Sequence, residues 1–230
     1  MTSVDYEQAV EKAPAGWRHF NIEDVARLPE AVRAHEMAHI PSGEPEHRVL
    51  RAMFWTLVYH LEPDRWDELS RFEPIHPDLM AMLPARARTG LDVGAGSGRL
   101  TEHLAERCRE VAAVEPSAGL RAILSRRLPQ VKTSDGWAEA LPVRDGWSEL
   151  TAACGTLGPE PAIVQELERV TALGGTIALI SPEDPGWFAA NGWRHITAPP
   201  IAPPAHPRWL DEFFGPLDPP HEMVLREKTA

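Results

Sequence analysis

Short apolar runs and segments with helical periodicity alternate along the chain from Arg88 onward. The apolar runs have the length of buried strands, and the clearest helical segment, 161–173, has its apolar residues on one face. The predicted strands are, in order, 89–93, 111–114, 130–133, 150–154 and 176–181, followed by two more over 193–198 and 222–226. Strands that alternate with helices form βαβ units. The pattern therefore predicts an α/β fold with a parallel sheet covered by helices on both faces.

The region before Arg88 is helical rather than alternating. Pro29 begins a predicted helix over 29–39, since proline is tolerated in the first helical turn, and the turn 41–45 ends it. The next stretch, 45–61, is apolar on nearly every side after Val49. That pattern is typical of a helix buried between neighbours.

Two shorter helices, 64–70 and 77–83, complete this region. We therefore predict a helical N-terminal lid over 1–84 and an α/β domain over 85–230. Within the second region, the proline-dense segment 198–220 is predicted to be an insertion that helps to cap a substrate.

Composition narrows the classes of partner and location. The chain has 23 Lys and Arg against 34 Asp and Glu, a net charge of −11, which disfavours binding to a nucleic-acid backbone. It has no apolar run of 18 residues and no apolar core of a secretory signal near its N-terminus, so no membrane association is expected. Only Cys108 and Cys154 are present, so a disulfide scaffold is excluded and a cytoplasmic location is predicted.

The strongest chemical signal is LDVGAGSGRL, residues 91–100, where a predicted strand turns into a helix. Its glycines, Gly94, Gly96 and Gly98, allow positive φ angles and close approach of a ligand to the backbone. Amides at the start of the helix favour a negative group. The spacing differs from the dinucleotide fingerprint, which argues against a nicotinamide enzyme.

This loop resembles the first motif of the class I S-adenosylmethionine-dependent methyltransferases, particularly the small-molecule type 11 group. Their motif is an apolar strand followed by D-x-G-x-G-x-G, and here Asp92 precedes the three glycines. In that family the loop wraps the methionine end of the cofactor, and the aspartate orients the loop and the cofactor's amino group. The resemblance implies S-adenosylmethionine as cofactor. It also implies a Rossmann-like, seven-stranded, mainly parallel sheet with the cofactor at the carboxyl ends of strands one, two and four.

Two further regions extend the resemblance. Glu115, followed by Pro116, ends the second predicted strand, where a carboxylate can accept both ribose hydroxyls; the family assigns it that role. In WAEALPV, 137–143, Trp137 replaces the aspartate with which the family usually contacts adenine. Adenine recognition is therefore expected from the Ala138 backbone, with Trp137 or Glu139 nearby.

The remaining positions implied by the resemblance lie beside the fourth strand and before the first. Ala153 and Cys154 should lie beside the transferable methyl group, and Trp66 occupies a segment in which the family uses an aromatic residue to cover the cofactor. The predicted cofactor-binding residues are Trp66, Asp92, Gly94, Ala95, Gly96, Gly98, Glu115, Pro116, Trp137, Ala138, Glu139, Ala153 and Cys154.

One motif points to different chemistry. HEMAH, 35–39, is an H-E-x-x-H sequence whose two histidines share a helical face and could bind zinc, with Glu36 as base. The positions of Gly43 and His47 do not extend it to the metzincin pattern. An amphipathic lid helix is the favoured interpretation, no metal is predicted, and a metal-binding enzyme using His35 and His39 is kept as an alternative.

The resemblance also bears on the acceptor. The D/N-P-P-Y/F motif of enzymes that methylate amino groups of nucleic acids or protein glutamine is absent after the fourth strand, as are magnesium-binding acids. We therefore predict methyl transfer to a small molecule. His195 and His206 are candidates for a general base, which is needed only if the acceptor must lose a proton. The second alternative is a cofactor-binding protein of this fold that does not methylate.

Overall fold

The computed structural model describes residues 20–208, 210–211 and 216–229, and seven strands of this part form one sheet in the order β3-β2-β1-β4-β5-β7-β6. Strands β1 to β5 are mutually parallel, and β7 runs antiparallel to both β5 and β6. This confirms the predicted Rossmann-like, mainly parallel sheet. The strands are β1 Ala87–Val93, β2 Cys108–Val114, β3 Lys132–Ser134, β4 Ser148–Cys154, β5 Thr171–Ile180, β6 Arg194–Thr197 and β7 Glu222–Glu227.

Helices precede the sheet and connect its strands. Residues 1–19 of the predicted lid, and 209 and 212–215 of the proline-dense segment, lie outside the described residues. The helices that carry labels below are α1 Ile22–Arg27, α2 Glu30–Ala38, α3 Glu46–Ala52, α4 Phe54–Leu61, α5 Pro63–Ser70, α6 Pro77–Met82, α7 Arg99–Arg107, α8 Ala118–Arg127, α9 Pro161–Val170 and α10 Pro185–Ala190.

The sheet is buried on both faces, which is why its parallel strands read as continuous apolar runs. On one face, Leu104 of α7 and Leu124 of α8 pack into a cluster with Leu150. On the other, Leu167 of α9 and Phe188 of α10 pack into a second cluster. The result is a three-layer arrangement in which the loops at the carboxyl ends of the strands are the ones free to form a site.

The apolar stretch 45–61 forms two helices rather than the predicted single one. The break is at Met53, which has φ −90° and ψ 3° and is completely buried. Apolar residues on every face predict burial correctly. They do not specify the direction of the chain, which the packing of Met53 against its neighbours determines.

The helix predicted over 161–173 is shorter in the structure, and the strand predicted over 176–181 begins earlier. Helix α9 ends at Val170, and Thr171 already begins β5. The Thr171 hydroxyl donates to the Leu167 carbonyl at 2.6 Å and shares a hydrogen bond with the Thr151 hydroxyl at 2.7 Å. These bonds draw Thr171 into the sheet, and Gly174, at φ 73°, lies within the strand that follows.

The helices before β1 are fastened to the α/β region over the carboxyl ends of its strands. In α5, the buried Asp67 accepts a 2.6 Å hydrogen bond from Arg127 of α8. The Ser117 hydroxyl, at the start of α8, donates to the Tyr59 carbonyl of α4 at 2.7 Å. Within the described residues, no helix is long and apolar enough to cross a membrane.

Candidate functional site

The glycine loop leaves β1 and enters α7 with three positive φ angles, 68° at Gly94, 56° at Gly96 and 109° at Gly98. The amide of Gly94 donates to the Val114 carbonyl at 2.9 Å, which holds the loop against the end of β2. A Cβ atom at Gly98 would lie 2.5 Å from Leu124 Cδ1. The third glycine therefore allows the loop to pack on α8. A Cβ atom at Gly94 would likewise lie only 2.8 Å from Thr156 Oγ1.

Glu115 joins the loop to the end of β2. One carboxylate oxygen accepts the Gly96 amide at 2.9 Å and the other accepts the Ser117 amide at 2.8 Å. The side chain is almost wholly buried, and this burial raises the pKa of Glu115, against the lowering effect of the two amides. Each oxygen keeps acceptor capacity for a ligand hydroxyl.

Asp92, at the carboxyl end of β1, is a buried carboxylate with one oxygen satisfied. The Thr101 hydroxyl donates to Oδ2 at 2.6 Å, whereas Oδ1 has no hydrogen-bond partner among the described residues. Burial, with a smaller contribution from the charge of Glu115, raises the pKa of Asp92 to about 7. Such an oxygen is costly to bury and is suited to accept a hydrogen bond from a ligand.

Arg99 is a residue of this site that the sequence interpretation missed. It is the first residue of α7, and its side chain is only 18% exposed. Its guanidinium donates to the Glu73 carbonyl at 2.8 Å and lies 3.5 Å from both the Glu73 carboxylate and the Cys154 sulfur. One signal was available: a cation at a helix N-terminus opposes the helix dipole, so its presence directly after the loop needs a local reason.

Two adjoining pockets lie at the carboxyl ends of β1, β2 and β4. The first, here the Arg99 pocket, is bordered by the glycine loop and by Tyr59, Trp66, Asp92, Arg99 and Cys154. The second, here the Trp137 pocket, is bordered by residues of the 136–139 loop, of α2 and α4, and of the β4–α9 loop. The residues that line both are Tyr59, Gly94, Glu115 and Thr156. Because these four residues line both pockets, the pockets are neighbours around Glu115, and together they are called the cleft below.

Aromatic side chains cover the Arg99 pocket. A Cβ atom at Gly96 would lie 3.3 Å from Trp66 Nε1, so the indole lies directly over the loop. Trp66 makes edge contacts with Tyr59 and Trp55, at ring-centre distances of 4.9 and 5.4 Å. This mutual packing of the rings holds Trp66 in place over the loop.

The first two residues of the H-E-x-x-H motif, His35 and Glu36, line the Trp137 pocket. The His35 ring stacks on Trp137 at 3.9 Å with an interplanar angle of 17°, and its Nε2 lies 3.4 Å from Glu139 Oε1. His39 Nδ1 lies 3.0 Å from the His35 carbonyl oxygen. No group of three or more His, Cys, Asp or Glu in the described part of the chain is arranged to hold a metal ion.

Most of the predicted cofactor residues are brought together. Gly98 and Ala153 line neither pocket, since Gly98 packs against Leu124 and Ala153 lies in the core. The predicted residues that line the cleft are Trp66, Asp92, Gly94, Ala95, Gly96, Glu115, Pro116, Trp137, Ala138, Glu139 and Cys154.

The two candidate general bases lie outside both pockets. His195 Nε2 is 2.9 Å from the Glu222 carboxylate, across the β6–β7 pair. His206 Nε2 is 2.9 Å from Asp211, and hydrogen bonding to the Pro204 carbonyl and to Asp211 raises the pKa of His206. The structure therefore does not bring either histidine to the cofactor residues.

The fold, the glycine loop and the buried acid after β2 define a Rossmann-like α/β protein with a cleft at the carboxyl ends of its parallel strands. Residues 91–179 match the family model described as a methyltransferase domain. Those residues, from β1 into β5, are thus similar to a methyltransferase domain. This agrees with the resemblance inferred from Asp92 to Gly98 and from Glu115.

Individual relatives agree with this assignment. The chain is 38% identical over 117 residues to an uncharacterized methyltransferase of Mycobacterium tuberculosis, covering 48% of each. It is 32% identical over 100 residues to the demethylmenaquinone methyltransferase of Beutenbergia cavernae, covering 42% of each. The chain thus matches about half the length of these curated relatives.

A solved structure shows the same fold. A protein of Methanococcus maripaludis, assigned as an S-adenosyl-L-methionine-dependent methyltransferase, superimposes with a TM-score of 0.53 at 16% identity. The match covers 75% of this chain and 94% of that protein.

Proposed function

We propose that this protein transfers the methyl group of S-adenosylmethionine to a small-molecule acceptor. The observation that carries the proposal is the pair of adjoining pockets around Glu115. One of them is lined by Asp92, whose Oδ1 has no hydrogen-bond partner among the described residues. The match of residues 91–179 to the methyltransferase domain supports the reaction type.

The side chains of the cleft fit the parts of this cofactor. An α-amino group needs an acceptor and a carboxylate needs a donor, and the Arg99 pocket contains Asp92 and Arg99. Glu115 lies where the pockets meet and would accept the ribose hydroxyls. In the Trp137 pocket, the 137–139 loop would border the adenine. From the Arg99 pocket to the Trp137 pocket, these residues therefore match the cofactor's groups in their order, which is amino acid, ribose and adenine.

The bound sulfonium would supply an electrophilic methyl carbon and a neutral leaving group. The protein's own contribution is to position the acceptor and to exclude water. Trp66 and Tyr59 close the cleft over the loop, and Cys154 and Thr156 lie at the end of β4. His195 and His206 line neither pocket, so neither is proposed as a general base.

A small acceptor is supported by three observations. The net charge of −11 disfavours a nucleic-acid backbone, and the cleft is covered by packed aromatic rings. The relative from Beutenbergia cavernae is named a demethylmenaquinone methyltransferase, and demethylmenaquinone is neither a protein nor a nucleic acid. The proposal includes a cytoplasmic setting, supported by the free thiols of Cys108 and Cys154.

Calorimetric titration with S-adenosylhomocysteine, after removal of metals, tests the cofactor site. The wild type should bind, and Glu115→Ala should weaken binding about 100-fold, because two hydrogen bonds to a charged group are lost. Glu110→Ala is the matched control, since Glu110 is an exposed acid on the same strand. Failure of the wild type to bind would reject the proposal.

Turnover is tested separately with methyl-labelled S-adenosylmethionine and a panel of phenols, quinols and amines. Label in a small product supports the proposal. Cofactor binding without label transfer to any acceptor would support the non-methylating alternative instead. Label appearing in added RNA or protein would overturn the small-molecule assignment.

A further inference from the structure

Helix α2 carries the H-E-x-x-H motif and lies against the nucleoside end of the cleft. Two of its residues, His35 and Glu36, line the Trp137 pocket. His35 is the point of contact with the 137–139 loop, through its stack on Trp137 and its approach to Glu139. A helix of the lid is thereby joined to a loop of the α/β region across the pocket.

The contacts of His35 differ from those of the second histidine of the motif. His35 Nδ1 is buried and has no hydrogen-bond partner within the described residues, and Glu36 Oε1 is 3.7 Å away. His39, one turn further along, is exposed, lines neither pocket and has its Nδ1 directed at the His35 carbonyl. The two histidines therefore make separate contacts. Among the described residues they do not meet at a common metal site.

We infer that His35 is the latch that holds α2 over the Trp137 pocket and retains a nucleoside bound there. This rests on the proposed function, which places the adenosine part of the cofactor in that pocket. The stack joins opposite walls: Trp137 and Glu139 belong to the segment between β3 and β4, whereas His35 belongs to the lid. While the rings are stacked, the helix cannot move away from the pocket.

The contact between His35 and Trp137 is weak enough to let α2 open and close over the pocket. A single aromatic pair is a weak interaction, so thermal motion breaks and reforms it readily. The nucleoside can then enter and leave, and closure slows its release without sealing the cleft.

Stopped-flow release of S-adenosylhomocysteine tests the latch. His35→Ala should release the ligand about fivefold faster than the wild type, the amount expected from loss of one aromatic pair. His35→Phe keeps a stacking ring and should release at close to the wild-type rate. His39→Ala, on the same helix, should also leave the rate unchanged. Equal release rates for His35→Ala and His39→Ala would overturn the inference.

A second measurement needs no ligand. Amide hydrogen exchange in residues 30–38 should become faster in His35→Ala and in Trp137→Leu, but not in His39→Ala. If exchange responds in this way and S-adenosylhomocysteine does not bind, the latch is supported and the proposed cofactor is rejected. If the ligand binds but neither exchange nor release responds to His35→Ala, the latch is rejected and the proposed function stands.

Discussion

Glu115 accepts the backbone amide of Gly96 at 2.9 Å, so the acid that ends β2 also holds the loop that follows β1. Its second oxygen accepts the amide of Ser117, at the start of α8. The carboxylate is thus a structural tie between two crossovers as well as a ligand acceptor. A Glu115 variant therefore has to be checked for loop stability, by its thermal midpoint, alongside its ligand affinity.

Arg99 is expected to recognise the carboxylate of the cofactor's amino-acid end. Arg99→Met should weaken binding of S-adenosylhomocysteine by about 10- to 100-fold, because a charge-assisted hydrogen bond is lost. Binding of methylthioadenosine, which lacks the amino-acid end, should not change. Both affinities are measured by calorimetry.

Arg99→Lys provides the matched control for this prediction. It keeps the charge but not the planar fork of donors, so its affinity should fall between those of the wild type and Arg99→Met. If Arg99→Met weakened both ligands equally, the residue would act through the shape of the pocket, and the carboxylate assignment would be wrong.

Asp92 should make stability depend on pH. Its pKa rises from 3.8 to about 7 on folding, so between these values the folded protein holds a proton that the unfolded chain has released. Stability from this group therefore falls as pH rises from about 4 to about 7. Asp92→Asn removes the ionisation, and above pH 7 it should be more stable than the wild type by at most about 4 kcal/mol.

Urea denaturation of the wild type and Asp92→Asn, at a series of pH values, measures this difference. The gap between the two unfolding free energies should widen as pH rises and reach a plateau above neutrality. A gap that does not vary with pH would show that Asp92 ionises normally in the folded protein.

Gly98, the third glycine of the loop, should not tolerate a side chain, because Leu124 fills the space beside it. At Gly98 a Cβ atom would meet the completely buried Leu124 at 2.5 Å, at a φ of 109°. Gly98→Ala should cost about 2–4 kcal/mol, the sum of backbone strain and overpacking. Gly43→Ala, at a φ of 85° with open space around its Cβ, isolates the strain and should cost about 1 kcal/mol. Equal losses in thermal unfolding would argue against the contact with Leu124.

The hydrogen bond between Arg127 and Asp67 should stabilise the attachment of the lid. Arg127→Ala leaves Arg71 as the arginine partner of the buried Asp67 among the described residues, and should cost about 2 kcal/mol at neutral pH. The neighbouring Arg126 is exposed, so Arg126→Ala is the control and should cost little. Urea unfolding of both variants measures the difference.

The stabilisation that Arg127 and Asp67 provide should depend on pH. Burial alone raises the pKa of Asp67, but hydrogen bonds, including those from Arg127 and Arg71, outweigh it and hold the pKa below its usual range. The stabilisation is therefore complete above the ordinary Asp pKa of 3.8 and is lost as pH falls through the lower folded value. The cost of Arg127→Ala should shrink in acid, and a cost that persisted there would indicate lost packing instead.

The part of the site that the sequence predicts is local in the chain. The first strand, its glycines and the acid after β2 follow from hydrophobic pattern and spacing, because the backbone itself forms that part of the site. Glu115 could be located before its partners were known, since the end of a parallel strand opens onto the ligand edge.

The remainder depends on contacts between distant segments. Arg99 adjoins the loop in sequence, yet its burial comes from Glu73, in the segment before β1. The stack of His35 on Trp137 joins residues about a hundred positions apart, and no periodicity encodes it. The break at Met53 has the same origin, since tertiary packing determines where an all-apolar stretch bends.

The two strands at the margins of the sheet are its shortest. Strand β3 has three residues and β6 has four, whereas the strands between them have six to ten. An unpaired edge strand is where another chain can add to a sheet and where aggregation can begin. A short edge strand offers few amides and carbonyls for such pairing. The long strands therefore lie inside the sheet. The short edge strands β3 and β6 leave few backbone groups with which a second chain could pair.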